Sequence, residues 1–436
     1  MVDWNYNGRW WYALAHVCRR WRNIILGSAT YLGVTLLCTY GIPIADMLTH
    51  SPHLPLIVSY FRNDHELTTE DEEGIILALQ QRDRVRRVRL HNIVTIMQQL
   101  SVVMDEEYPI LEFLYISCRV EDKNTISRFQ ESFQAPNLRY LSLGGFALPI
   151  GSRLLANAVG LVTLHLVMVH PSTYFHPNTL LQWISLMPYL ETLIIRFDSS
   201  IPNRELERQL THTPIIAPIM LPNLHRFEFQ GVSAYMEALV HRITAPRLER
   251  FNINFFNQLT FFVPHLLQFI AVAENLRSGE VVLSFYDKFA TAGIFPIAGN
   301  AEYSLGMVVK CCHLDWQISS MAQISNLLSQ MFFAAERLFL RHNAHSSSSE
   351  EHDEVDHTEW RKLLRPFSNV KTLWIEEGLV KDFSRSLKLE DGALSLELLP
   401  ELQELTYTGS NDTGDALTSF IDARRDAGRP ITVVRR

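Results

Sequence analysis

The chain has 436 residues, of which 47% are hydrophobic and 20% charged, and its formal net charge is −8. That balance fits a packed soluble protein, either two domains or one long array, and excludes a disordered chain. The acidic balance argues against a general nucleic-acid binder, because phosphate contacts need a basic face.

The first residues, Met1 to Tyr6, lack the charged and then apolar profile of a signal peptide. Residues 9–26 read as one amphipathic helix. Trp10, Leu14, Val17, Cys18, Trp21, Ile24 and Ile25 recur at helical spacing and form one apolar face. Arg19, Arg20, Arg22 and Asn23 point elsewhere, so the plain reading is a basic helix that caps a repeat array. No charged residue occurs between Arg22 and Asp46, which is long enough for a bilayer span of about 20 residues. Gly27, Ser28, Thr30, Gly33, Thr35, Thr39, Gly41 and Pro43 dilute that segment, and no membrane association is expected.

Residues 64–73 form an acidic helix start, with Thr68 or Thr69 placed to cap it. From there a pattern, Pro-x-Leu-x-x-Leu-x-Leu, organises the chain. It stands at Pro109–Ile116, Pro136–Leu143, Pro188–Ile195, Pro222–Phe229, Pro246–Ile253 and Pro400–Tyr407. Variants without the proline lie at Gly160–Leu166 and Asn369–Ile375, and weaker ones at Val85–Leu90 and Glu336–Leu340. The last two apolar positions are two apart and share one face of a strand. The proline fixes φ just before the strand and needs no ladder hydrogen bond there. Successive first leucines, from Leu111 to Leu248, are separated by 23 to 34 residues. Leucine-rich repeats have about 20–29 residues with one strand each. Helical spacing at 179–187 and 232–243 supplies the return segments.

Residues 257–335 are harder to parse. Glu280–Phe285 and Leu305–Cys311 read as extra strands. Cys311, Cys312, His313 and Trp316 are read as core packing, since adjacent cysteines rarely share a metal. A polar, acidic, serine-rich stretch at about 342–358 reads as a flexible loop. Its histidines His342, His345, His352 and His357 lack zinc spacing, and Ser346 to Ser349 are candidate phosphorylation sites. The last repeats lie at 363–377 and 396–409, followed by a closing helix at Asp415–Ala427 and a basic tail, Arg435-Arg436.

No nucleophile elbow, dinucleotide fingerprint, phosphate loop, His-Glu-x-x-His helix or paired Cys-x-x-Cys is present. The chain is therefore expected not to be an enzyme and to need no cofactor or metal. Its five scattered cysteines, Cys18, Cys38, Cys118, Cys311 and Cys312, form no disulfide framework and point to a reducing compartment.

Leu14-Ala15-His16-Val17-Cys18-Arg19-Arg20-Trp21-Arg22 resembles the second half of an F-box, whose core is Val-Cys-Arg-x-Trp. Gly27–Leu32 resembles that family's turn and downstream aromatic, and Leu48–Val58 its link to the repeats in fungal members. The Leu-Pro opening and first helix of the box have no counterpart before Trp10. The resemblance implies an α/β fold: a leucine-rich-repeat solenoid, or horseshoe, behind a short helical partial F-box. It implies a partial box at 1–45, a linker and irregular repeat at 46–83, and a repeat domain at 84–436. It further implies a substrate receptor of a cullin–RING ubiquitin ligase in the cytoplasm or nucleus. An Skp-type adaptor would dock on the box and a protein target on the repeats. Leu14, Val17, Cys18, Trp21 and Ile24 would form the box core or the adaptor surface. The alternative is a repeat scaffold without adaptor binding. Exposed strand residues such as Arg139, Ser142, Thr163, His165, Thr192 and His225 are the candidates for target contact.

Overall fold

The computed structural model describes residues 10–28, 34–50, 53–61, 66–118, 129–146, 148–149, 151–169, 174–198, 217–256, 262–276, 279–296, 303–343, 357–387, 397–408 and 411–436. Most of the serine-rich stretch, at 344–356, lies outside them. The chain divides into two compact units, residues 1–198 with 220–223, and residues 199–219 with 224–436.

In the first unit the strands are β1 (Leu36–Cys38), β2 (Leu56–Tyr60), β3 (Val85–His91), β4 (Phe113–Ser117), β5 (Tyr140–Gly144), β6 (Thr163–Val169) and β7 (Thr192–Phe197). All are parallel, and each lies beside its neighbours in sequence. Two side-chain ladders run across them. One is Cys38, Val58, Val88, Leu114, Leu141, Leu164 and Leu193. The other is Tyr60, Leu90, Ile116, Leu143, Leu166 and Ile195. These residues are buried, as are the first leucines Leu111, Leu138, Leu161 and Leu190. Each buried leucine contributes roughly 1.5–3 kcal/mol, and only stacking provides the burial.

The recurring proline sits inside a turn. In Ala135-Pro136-Asn137-Leu138 the Leu138 N–H donates to the Ala135 carbonyl at 3.1 Å, with proline at the second position. The same closure recurs at Leu111, Leu161 and Leu190 in this unit, and at Leu248, Val370 and Leu402 in the second. One carbonyl then receives two donors from the next repeat. Glu112 O accepts from Arg139 and Tyr140, Arg139 O from Val162 and Thr163, and Val162 O from Glu191 and Thr192. Asparagine amides add a further link, Asn137 to Pro109 O at 2.6 Å and Asn223 to Pro188 O at 3.1 Å.

Between strands the chain returns through helices. The acidic start is confirmed at helix Thr69–Leu79. Thr68 caps it, accepting from Asp71 N at 3.1 Å, while the Asp71 carboxylate accepts from Thr68 N at 3.2 Å. The stretch expected to be a linker and first irregular repeat, 46–83, holds part of helix Ile44–His50, strand β2 and this helix.

In the second unit, after a short pair made by β8 (Ile219–Met220) and β10 (Ile243–Thr244), the strands are β9 (Arg226–Gly231), β11 (Arg250–Phe255), β12 (Glu280–Tyr286), β13 (Ala290–Phe295), β14 (Leu305–Val309), β15 (Arg337–Asn343), β16 (Thr372–Ile375), β17 (Glu404–Tyr407) and β18 (Thr432–Arg435). Their order is β9-β11-β14-β13-β12-β15-β16-β17-β18. The expected extra strands are β12 and β14. Between them β13, which the sequence pattern did not indicate, runs antiparallel to both. This meander enters the sheet in reverse order. Helix Leu314–Leu327 then carries the chain from β14 to β15, across the width of two intervening strands. Three strand spacings are about 14 Å, and 14 helical residues reach about 21 Å. The helix is anchored by buried Gln317, whose amide donates to Tyr286 O at 2.7 Å and Cys311 O at 2.8 Å.

Cys311 is buried, in line with core packing, but Cys312, His313 and Trp316 are exposed, which corrects the core reading for those three. The last repeats give β16 and β17, and the closing helix spans Asn411–Asp426. The expected basic tail is corrected: Thr432–Arg435 is a strand parallel to β17, because Thr432-Val433-Val434 is β-prone and the β17 edge is open to it.

Candidate functional site

The strand face opposite the leucine ladders is where this architecture presents side chains. In the first unit one row across the sheet is Ile57, Arg87, Phe113, Tyr140, Thr163 and Thr192. The next is Ser59, Arg89, Tyr115, Ser142, His165 and Ile194, and a shorter third is His91, Ser117, Gly144 and Val167. Thus Thr163, His165 and Thr192 lie half-buried on the face, as the alternation implies, whereas Ser142, expected to be exposed, lies on the same face but is buried at 4% exposure. Arg139 and His225 do not. They sit in the turns before β5 and β9, where their carbonyls take the paired donors of the following repeat.

The alternation could not show how these rows pack. Phe113 and Tyr140 stack with centroids 4.3 Å apart and planes 11° apart. Tyr140 meets His165 edge-on at 5.5 Å, and its hydroxyl is 3.4 Å from His165 Nδ1. Phe61, just past β2, contacts both Tyr115 and His91, at 5.4 and 5.2 Å. The Arg89 guanidinium lies 3.5 Å over the Phe61 ring. Burial pushes the Tyr140 hydroxyl pKa up and the Arg89 pKa down. The outcome is one half-buried patch of aromatic rings and cations. The sequence signal for it was present, since Arg87, Arg89, Phe113, Tyr115 and Tyr140 occupy the non-leucine positions of consecutive repeats.

The second unit's face differs. Two of its arginines are paired with carboxylates: Arg226 donates through Nε to Glu228 at 2.7 Å, and Arg337 to Glu280 at 2.6 Å. Arg341 lies 6.0 Å from the Phe339 ring and 5.8 Å from the Trp374 ring. Tyr303 covers the facing glycines Gly293 and Gly306 and contacts Phe295 at 4.3 Å.

At the N-terminus the single expected helix is corrected to two, Trp10–Ala15 and Arg19–Gly27. Cys18 is extended between them, and the Ala15 carbonyl accepts from Arg22 Nε at 3.1 Å instead of a backbone N–H. The apolar stripe divides accordingly. Trp11, Ala15 and Ile25 are buried, and Trp11 Nε1 donates to Thr35 O at 3.0 Å. Leu14 is half-buried and Cys18 exposed. Val17, Trp21 and Ile24 are 64%, 47% and 55% exposed, which makes them surface rather than core. The side chain of Trp10 and the expected turn at 29–32 lie outside the described residues.

Among the described residues no group of three or more His, Cys, Asp or Glu is placed to hold a metal ion. Burial raises the thiols of Cys38 and Cys311 to about 12 and that of Cys118 to about 11, away from the range of a nucleophile. No described helix is long and apolar enough to cross a membrane.

No family model matches this chain, and no curated protein matches it. Among solved structures it is similar to the leucine-rich repeat-containing protein LegL7 from Legionella pneumophila, at 12% identity and a TM-score of 0.28, over 91% of this chain and 98% of that one.

Proposed function

We propose that this chain is a non-catalytic binding protein that holds a protein target on its strand face. It is further proposed to act as an F-box-like receptor whose N-terminal helices dock an Skp-type adaptor of a cullin–RING ligase. The observation that carries the binding role is the aromatic patch of Phe113, Tyr115 and Tyr140 beside Arg87 and Arg89. Aromatic and arginine side chains are the usual anchors of protein interfaces. The adaptor role draws on the Val17-Cys18-Arg19-Arg20-Trp21 resemblance and on the exposure of Val17, Trp21 and Ile24. An exposed apolar cluster at a helix surface favours a covering partner.

Co-purification of the full chain with an Skp-type adaptor tests the adaptor role. Because Trp21 is half-exposed, Trp21→Ala is expected to leave thermal stability nearly unchanged and weaken capture about tenfold or more. A well-folded chain that captures no adaptor would leave the scaffold role alone, with Arg19–Gly27 as part of an end cap.

A further inference from the structure

The charged residues in the three rows of the first unit's face are arginines, Arg87 and Arg89, and no Asp or Glu occupies any position of those rows. This holds in a chain whose net charge is −8. Acidic residues do occur at the rim, where Glu112 pairs with Arg86 at 2.9 Å, one residue before the face begins. On the face itself Arg89 has no carboxylate partner among the described residues. Its electrostatic neighbours are the hydroxyls of Tyr115 and Tyr140, and its guanidinium is held against Phe61. A half-buried guanidinium with no carboxylate beside it is well matched to an incoming oxyanion, which makes charge-assisted hydrogen bonds to it.

The geometry adds a length scale. Arg87, Arg89 and His91 alternate along one strand, so their positions are about 6.6 Å apart, the spacing of alternate residues in an extended peptide. Beside them the Phe113–Tyr140 stack offers a flat apolar surface. We propose, on the protein-binding reading above, that this face takes an extended acidic segment of the target, with a carboxylate on Arg89 and apolar side chains on the Phe113–Tyr140 stack. Single-stranded RNA also combines anions with flat rings, but the overall acidity of the chain opposes it.

The test is fluorescence anisotropy on the full chain with three labelled probes: a peptide of alternating Glu and Leu, its Gln/Leu counterpart, and oligouridine. The Glu/Leu peptide is expected to bind at least about tenfold more tightly than the Gln/Leu peptide and to weaken with added salt. Arg89→Gln is expected to remove about tenfold of that affinity, and Tyr140→Ala a similar amount, with circular dichroism unchanged. Equal binding of the two peptides, no binding of the acidic one at about 1 mM, tighter binding of oligouridine, or indifference to Arg89→Gln overturns the proposal. Gln/Leu binding that is lost in Tyr140→Ala but kept in Arg89→Gln overturns only the acidic assignment and leaves the protein-binding role standing. Failure of both peptides to bind, in a chain that also captures no protein through Phe113 and Tyr140 in photo-crosslinking, removes that role as well.

Discussion

Arg424 is 1% exposed, and its guanidinium donates to three carbonyls: Leu399 O at 3.2 Å, Pro400 O at 3.1 Å and Leu402 O at 2.9 Å. It thereby secures the turn that leads into β17, where Leu399 has a positive φ of 51°. Burial lowers its pKa, yet a guanidinium remains charged at any physiological pH. Arg424→Met would fill much of the volume but remove three hydrogen bonds to carbonyls, of which Leu399 O alone keeps a second donor among the described residues, the Leu402 N–H. We expect a loss of about 3 kcal/mol, read from urea unfolding followed by fluorescence. Sequence reading placed Arg424 in a closing helix and assigned it nothing, because its partners lie more than twenty residues away and are backbone atoms, which carry no residue signature. The leucines were legible for the opposite reason. Their burial follows from period alone, so Leu138 and Leu141 could be assigned to the core without knowing their neighbours.

At the scale of elements, the strands were legible wherever the Pro-x-Leu-x-x-Leu-x-Leu pattern or its variants stand, whereas β1, β2 and β18, which lack it, were not read as strands. Where the chain departs from that rule, in the meander of β12, β13 and β14, only the two apolar strands were recognisable. Strand β13, Ala290–Phe295, is short-chained and contains Gly293, which reads as a breaker. The structure gives that glycine a role: a Cβ there would stand 2.2 Å from the Tyr303 ring. Tyr303 fills the hollow that Gly293 and its cross-strand partner Gly306 leave, an aromatic covering glycine on a sheet. Gly293→Ala is expected to destabilise the second unit by about 1–3 kcal/mol through displacement of that ring. In a double-mutant cycle Tyr303→Ala should recover part of the loss, because the clash no longer exists. The N-terminal helix pair shows the converse error. Helical spacing from Trp10 to Ile25 was unbroken, and nothing in the pattern signalled that the Ala15 carbonyl would turn to the Arg22 side chain.

For the molecule as a whole, the cysteines offer a direct reading. Cys18 and Cys312 are exposed, whereas Cys38, Cys118 and Cys311 are buried with raised pKa values. A thiol reagent at neutral pH should modify two groups quickly and three only on unfolding. Cys38 and Cys118 belong to the first unit and Cys311 to the second. Mass spectrometry of pulse-labelled protein in rising urea would therefore show whether the two units open together or in turn. Rapid labelling of Cys118 in native buffer would contradict the packing described here. The binding face was half legible: its residues could be picked out from the alternation, but not the stacking of Phe113 on Tyr140 or the isolation of Arg89, which depend on register.

The meander also bears on how such a chain can change length. Along β3 to β7 the strands pair in sequence order, and from β4 to β7 one carbonyl at each junction receives two donors from the next repeat. A duplicated or lost repeat there leaves junctions of the same kind. Strands β12 to β14 are inserted in reverse, with β14 against β11 and β12 against β15. Loss of any one of them would bring strands of the wrong direction or register face to face. The three strands, with the helix Leu314–Leu327 that closes the circuit, are thus inherited as one block. Variation in repeat number among descendants of this chain should fall in the β3–β7 tract and spare that block.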